Sequence, residues 1–214
     1  MDWLDTFPAQ AFYGKLLAPH GQLEIMTTPG ADLSQIAVIC HPHPLHDGTM
    51  HNKVVTTLAK ACQNLGMPTV RFNYRGVGKS SGEYGQLTGE IDDLQTVLAW
   101  LKKSQPNAQI GLAGFSFGSY ISAHVANLLP DAAWLISVAP AVHHADFTEL
   151  QNITCPWLVI MGDEDEVVPP ADVYAWAAKT PQIETLQRFA DATHFFHGKL
   201  GPLRTCVQSW LEAY

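Results

Sequence analysis

The sequence predicts an α/β fold with a mostly parallel central sheet and helices on both of its faces. Two observations support this prediction. First, short apolar runs of the kind found in strands covered on both faces recur along the chain. They lie at residues 36–40, 70–74, 110–115, 133–139 and 157–162. Second, stretches with helical periodicity separate these runs, and alternation of strand and helix is typical of α/β proteins. With no internal repeat or linker-like segment, residues 1–214 are expected to form one domain.

The remaining elements follow in chain order. An antiparallel pair of strands is expected at residues 11–17 and 22–28, before the alternation begins. A last strand is expected within residues 184–192, where the chain reads ETLQRFADA. Helices are expected at residues 53–65, 89–103, 118–129, 171–179 and 198–214. The first of them is followed by Gly66, a residue type common just beyond a helix C-terminus. Ligands in such folds bind at the carboxyl ends of the strands, so chemistry is expected there.

Composition excludes several classes of function. The 214 residues contain 12 Lys and Arg against 20 Asp and Glu, a net charge of −8 that argues against nucleic-acid binding. No apolar run reaches the roughly 18 residues of a membrane-spanning helix. The acidic start, MDWLDTFPAQ, lacks the positive region of a signal peptide, so a cytoplasmic protein is expected. The four cysteines have no CxxC spacing and are expected to be reduced.

The segment Gly114–Gly118 (GFSFG) lies between a predicted strand and a predicted helix. G-x-S-x-G in that position is the pattern of a nucleophile elbow, a sharp turn that exposes the serine hydroxyl above the sheet. Ser116 is therefore the candidate nucleophile. The alternative interpretation is a glycine-rich connection with no catalytic role.

A serine nucleophile needs a base, and the base needs an orienting carboxylate; in this type of fold the carboxylate precedes the histidine. An acidic cluster follows the strand at 157–162, and Asp165 is preferred because the chain there has left the strand and turned back over the site. Asp163 is the second choice. His194 follows the last predicted strand and is the candidate base, whereas His197 is expected at the start of the final helix.

A histidine-rich loop, residues 41–51, follows the strand at 36–40. In one interpretation it supplies a backbone N–H that binds an oxyanion together with the N–H of Phe117. Proline has no N–H, so the donors left in the loop are His43 and Leu45, of which His43 is nearer to the strand. His46 and His51 are expected to be solvated residues at the rim.

The second interpretation of this loop is a metal site. The pattern His41-x-His43-x-Leu45-His46 is similar to the HxHxDH ligand motif of metallo-β-lactamase-fold hydrolases, but Leu45 stands where that motif has aspartate. No bound metal or other cofactor is therefore expected.

Residues 73–80 end in Gly-Lys-Ser, as a phosphate-binding loop does. Asn73 stands where the first glycine of that motif belongs, and Ser81 where a dinucleotide-binding motif has its third glycine. The segment is therefore interpreted as a glycine-rich loop without a nucleotide, anchored by hydrogen bonds from Arg75 to backbone carbonyls.

Taken together, these motifs resemble the α/β-hydrolase superfamily, and more narrowly the small uncapped bacterial predicted hydrolases near the dienelactone-hydrolase and carboxylesterase branch. The motifs that carry the resemblance are HPHPLHDGTMHNKVV, RFNYRGVGKSSG, GFSFG, GDEDEVVP and THFFHG, from residue 41 to residue 198. The resemblance implies a serine hydrolase of small carboxylic esters, with Ser116 as nucleophile, Asp165 as acid and His194 as base. The residues at 46–47 and 191–193 depart from the usual pattern of that group. The resemblance therefore does not specify the shape of the substrate pocket.

Chain length bears on a cap domain. Only about 17 residues separate Ala139 from the strand that starts at Trp157, where this fold carries its lid, so no cap is expected.

Aromatic residues near the motifs suggest an apolar acyl pocket: Tyr74, Phe115, Phe117, Phe195 and Phe196. Two other functions stay open, a non-catalytic binding protein of the same fold and a histidine-cluster metallohydrolase. The expected partner is a small-molecule ester substrate, and a homodimer is left open.

Overall fold

The computed structural model describes residues 2–31 and 33–214, which build one eight-stranded sheet with flanking helices. Its strands lie in the order β1-β2-β4-β3-β5-β6-β7-β8. They are β1 (Phe12–Ala18), β2 (Gly21–Thr28), β3 (Gln35–Cys40), β4 (Thr69–Phe72), β5 (Gln109–Phe115), β6 (Ala132–Val138), β7 (Trp157–Gly162) and β8 (Thr185–Phe189). β2 pairs antiparallel with β1 and β4, and the pairs from β4 to β8 are parallel. The predicted fold class is confirmed.

The described part of the chain has five α-helices, of which four connect strands and the fifth follows β8. They are α1 (Lys53–Asn64), α2 (Thr88–Ser104), α3 (Phe117–Leu128), α4 (Pro170–Ala177) and α5 (Leu200–Leu211). α1 packs on α5, and α2 packs on α3, so two helix pairs cover the sheet. The central strands are buried along most of their length, which explains why their sequences are continuous apolar runs rather than alternating ones.

The parallel pairing aligns the carboxyl ends of β3, β5, β6 and β7 at one edge of the sheet. Cys40 pairs with Gly114, Phe115 pairs with Val138, and Val138 pairs with Ile160. The loops that follow these strands therefore meet above the same edge. The sequence separates these loops by many residues, and the register brings them together.

One strand is shorter than expected. β4 ends at Phe72 instead of residue 74, because the hydroxyl of Ser80 accepts the N–H of Glu24 and donates to the carbonyl of Asn73, which interrupts the pairing with β2. The Asn73 N–H donates to the carbonyl of Glu24 (2.9 Å), and the Tyr74 N–H donates to Nε2 of His41 (3.1 Å). The sequence suggested strand there because Asn73 and Tyr74 continue an otherwise β-like run.

The glycine-rich loop after β4 is anchored differently from the prediction. Arg75 bonds the carboxylate of Asp93 on α2, through its backbone N–H (2.7 Å) and its guanidinium (2.8 and 3.1 Å), instead of backbone carbonyls. Asp93 is fully buried, so a paired cation is needed to satisfy it. The carboxylate of Glu24 accepts the N–H of Lys79 (2.7 Å), so an internal carboxylate takes the place that a phosphate has in a nucleotide-binding loop.

The connection from β6 to β7 covers residues 139–156 and contains one 3-10 helix of three residues, Phe147–Glu149. A cap of several helices does not fit in this length, and the prediction of an uncapped fold is confirmed. The four cysteines are free. Burial raises the pKa of the Cys40 and Cys62 thiols to about 12, so both stay protonated at neutral pH.

Candidate active site

Ser116 lies in the turn between β5 and α3 with φ 55° and ψ −118°, a conformation that residues with a Cβ rarely adopt. Its N–H donates to the carbonyl of Val138 (2.8 Å). A Cβ on Gly114 would lie 2.1 Å from the carbonyl oxygen of Gly118, and one on Gly118 would lie 2.6 Å from the carbonyl oxygen of Cys40. Both glycines of the motif are therefore required by close backbone approach, and the turn holds the serine in its strained conformation.

This strain has a measurable consequence for stability. Ser116→Gly relieves a strain of about 1–3 kcal/mol at a positive φ, against about 0.5–1 kcal/mol of extra chain entropy. We therefore expect Ser116→Gly to have a free energy of unfolding about 1 kcal/mol higher than Ser116→Ala, both variants lacking the hydroxyl. Urea unfolding followed by circular dichroism measures the difference. Equal stabilities, or a more stable alanine variant, would show that the turn is unstrained.

The structure places Ser116, His194 and Asp165 in one hydrogen-bonded row. His194 Nε2 lies 3.1 Å from Ser116 Oγ, and His194 Nδ1 lies 2.7 Å from Asp165 Oδ2. The side chain of His194 is almost wholly buried, and Asp165 and Ser116 are each 8% exposed. A proton on Nδ1 facing the carboxylate leaves Nε2 as the acceptor for the serine hydroxyl, the arrangement needed for a base.

Further hydrogen bonds hold Asp165 and His194 in position. The second carboxylate oxygen of Asp165 accepts the N–H groups of Val167 (2.8 Å) and Val168 (2.7 Å), which fixes the direction of the first. The backbone N–H of His194 donates to Oε2 of Glu166 (3.1 Å). Sequence reasoning missed Glu166 as a positioning residue, because nothing in an acidic run distinguishes the side chain that reaches a distant backbone.

Asp163, the second choice for the acid, lies elsewhere. Its carboxylate pairs with Arg188 (3.0 and 3.1 Å) and accepts the hydroxyl of Tyr174. The hydrogen bonds from Arg188 and Tyr174 hold the pKa of Asp163 below its usual range. His197 is exposed, with its ring 6.0 Å from the ring of Phe195. Of the acids considered, the structure brings Asp165 to His194.

The two residues predicted to bind an oxyanion are neighbours. The rings of His43 and Phe117 are 4.8 Å apart, and Phe117 is the first residue of α3, so its N–H has no acceptor within the helix. The N–H of Leu45 donates to Nδ1 of His43 (3.1 Å) and is therefore occupied. The N–H of His43 has no hydrogen-bond acceptor among the described residues. This leaves the His43 amide as the candidate second donor.

Residues 37–149, more than half of the chain, match the Hydrolase_4 family, described as serine aminopeptidase, S33. The chain belongs to this family.

The chain is also similar to two solved structures and to one further protein. An alpha-beta serine hydrolase homologue from Coxiella burnetii is 46% identical with a TM-score of 0.91, and the match covers 96% of this chain and 100% of that one. A member of the a/b serine hydrolases without lid from Xanthomonas campestris is 41% identical with a TM-score of 0.91, covering 97% and 96%. An uncharacterized protein of Rickettsia prowazekii is 37% identical over 163 residues, which are 72% of this chain and 67% of the relative. The resemblance to uncapped α/β-hydrolases is confirmed.

In this Hydrolase_4 chain, the His41 ring bonds backbone groups of two loops, a role that the sequence did not reveal. Its fully buried ring lies with Nδ1 2.7 Å from the carbonyl of Pro42, while Nε2 accepts the N–H of Tyr74. Burial lowers the pKa of His41 to about 3, so the ring is neutral. Both nitrogens are engaged by backbone groups and are not free for a metal. No group of three or more His, Cys, Asp or Glu side chains within residues 2–31 and 33–214 is arranged to hold a metal ion.

Imidazoles gather at the rim of the site. The ring of His43 lies 4.7 Å from that of His46 and 5.1 Å from that of His144, and its Nε2 is 3.3 Å from the hydroxyl of Tyr84. Burial first, and then the neighbouring imidazoles of His46 and His144, lower the pKa of His43 to about 4. Sequence reasoning missed His144, which reaches the site from the connection after β6.

Four of the five aromatic residues that suggested an apolar acyl pocket are buried in the core. Tyr74, Phe115, Phe117 and Phe196 belong to the core, each at most 1% exposed. Phe195 is 39% exposed and lies with its ring 5.0 Å from the ring of His194.

Among the described residues, no helix is both long and apolar enough to cross a membrane.

Proposed function

We propose that this chain is a serine hydrolase that cleaves small carboxylic esters through a Ser116–His194–Asp165 triad and an acyl-enzyme. The observation that carries the proposal is the unbroken row of hydrogen bonds, 3.1 Å from serine to histidine and 2.7 Å from histidine to aspartate. A serine hydroxyl is a weak nucleophile unless a base accepts its proton, and this row provides one. The described relatives, a serine hydrolase homologue and a serine hydrolase without lid, support the same class.

The reaction follows from the positions of these groups. Oγ of Ser116 attacks the ester carbonyl while Nε2 of His194 takes the hydroxyl proton, and Asp165 stabilises the imidazolium. The amides of Phe117 and His43 bind the oxyanion. The intermediate collapses as His194 gives its proton to the leaving alcohol. A water molecule, deprotonated by His194, then attacks the acyl-enzyme and releases the acid and the free serine.

The open surroundings indicate the size of the substrate. The connection of residues 139–156 is too short to cover a long acyl chain, and Phe195 provides one exposed apolar surface beside His194. We propose a single domain that acts on short or surface-presented esters without a cofactor. An α-ammonium group, as aminopeptidases bind, needs a free carboxylate near the nucleophile. Here the carboxylate of Asp165 is engaged by the ring of His194, and one oxygen of Glu166 accepts the backbone N–H of His194.

A panel of p-nitrophenyl esters from acetate to octanoate tests this function. We expect turnover that is fastest for the short acyl chains and falls as the chain lengthens, because no cap buries the longer ones. Activity should persist in a chelator and disappear with a fluorophosphonate. An amino-acid p-nitroanilide serves as the aminopeptidase comparison and should be hydrolysed far more slowly. Absence of turnover with every ester would favour a non-catalytic binding protein, and loss of activity in the chelator would favour a metallohydrolase.

A further inference from the structure

A cavity at the surface lies beside the candidate active site. It has a volume of about 300 Å³, at the lower end of the range for small-ligand sites. Its lining residues are Thr49, His51, Asn52, Lys53, Val54, Phe195 and His197. Phe195 joins it to the triad, because the same ring lies 5.0 Å from the ring of His194. A group bound in this cavity would therefore be separated from His194 by the ring of Phe195.

The cavity is lined by hydrogen-bond donors and one cation. Lys53 contributes an ammonium group, which forms no ion pair with any described residue. His51 and His197 each contribute an imidazole, which carries at least one N–H donor. The side-chain oxygen of Asn52 accepts the N–H of Val54 (2.9 Å), which leaves the amide N–H₂ of Asn52 to donate.

This arrangement is unusual for the chain as a whole. Acidic residues outnumber basic ones, 20 to 12, yet none of the described residues that line the cavity is Asp or Glu. A cation and further N–H donors without a facing carboxylate are suited to one negative charge. Phe195 and Val54 add apolar surface between that charge and His194, enough to contact a short carbon chain.

We propose that this cavity binds a carboxylate carried by the substrate, so that the preferred substrates are half-esters of short dicarboxylic acids. The inference rests on the proposed esterase function and names its substrate class. In the bound complex the ester carbonyl lies at Ser116, the carbon chain lies along the ring of Phe195, and the free carboxylate pairs with the ammonium of Lys53.

The test compares two esters of equal size and different charge. Monoethyl adipate carries a carboxylate, and the monoethyl ester of adipic acid monoamide carries a neutral amide in the same place. Ethanol release, followed by nuclear magnetic resonance, gives kcat/KM for each. We expect the native protein to prefer the carboxylate ester about tenfold or more, the size of effect that one charge-assisted contact produces. Lys53→Met should reduce that ratio about tenfold, and Lys53→Arg, which keeps the charge, should retain most of it.

Lys60→Met is the matched control. Lys60 is an exposed lysine of the same helix outside the cavity lining, so its removal should leave the ratio unchanged. A native protein without preference for the carboxylate ester, or a Lys53→Met variant with the native ratio, would overturn the inference. Hydrolysis of p-nitrophenyl acetate but of neither adipate ester would overturn it and leave the esterase proposal standing. Hydrolysis of no ester at all would overturn both.

Discussion

Ser116→Ala is expected to lower kcat toward p-nitrophenyl acetate by at least about 10⁴-fold, because nucleophilic catalysis ends when the hydroxyl is removed. Among the described residues, the Ser116 side chain makes one hydrogen bond, to Nε2 of His194, so its loss leaves the turn and the packing intact. A residual rate above the uncatalysed reaction is expected from the oxyanion amides of Phe117 and His43. Steady-state kinetics with highly purified variant protein, free of host esterases, measure the loss.

Ser104→Ala provides the matched control for this prediction. Ser104 carries a hydroxyl at the end of α2 that donates to the carbonyl of Leu101, and it precedes the amino end of β5, whereas the site lies at the carboxyl ends of the strands. Its kcat should stay within about twofold of the native value, because surface substitutions rarely change a site. A Ser116→Ala variant that keeps more than a tenth of native activity, measured beside an unchanged control, would contradict the assignment of the nucleophile.

The second large effect concerns Asp165→Asn, which should lower kcat by about 10³–10⁴-fold. The amide oxygen of asparagine can still accept the N–H groups of Val167 and Val168, so the loop stays in place. Its N–H₂ group then faces Nδ1 of His194, which must become an acceptor. The ring proton moves to Nε2, the nitrogen that has to receive the proton of Ser116, and the base is lost.

Asp163→Asn is the control in the same loop. Asp163 bonds Arg188 and Tyr174 instead of His194, so the substitution should change kcat less than about threefold. The two variants together distinguish the acids that the sequence left as first and second choice. A large loss in Asp163→Asn with little effect in Asp165→Asn would contradict the proposed triad.

Much of the fold was predictable because its strands are buried on both faces. Residues 36–40 and 157–162 are continuous apolar runs, and the structure has strands there, Gln35–Cys40 and Trp157–Gly162. The glycines at 114 and 118 were informative for a different reason. The backbone contacts at these two positions exclude any Cβ. The end of β4 was missed because it depends on hydrogen bonds from the side chains of Ser80 and His41, which lie in other segments.

The supporting contacts of the site could not be read from the sequence. His144 meets His43, and Glu166 reaches the backbone of His194, through contacts between segments that are distant in the chain. The choice between His43 and Leu45 as oxyanion donor depended on a single side-chain orientation. The His43 ring accepts the N–H of Leu45, and no regularity of the sequence encodes that hydrogen bond.

The central claim is that Ser116 is an activated nucleophile, and covalent trapping tests it most directly. The native protein is incubated with a fluorophosphonate, digested, and analysed by mass spectrometry. We expect one phosphonyl adduct per chain, on the peptide that contains Ser116, and none on Ser116→Ala treated in the same way. Equal labelling of both proteins, or an adduct on another serine, would contradict the account.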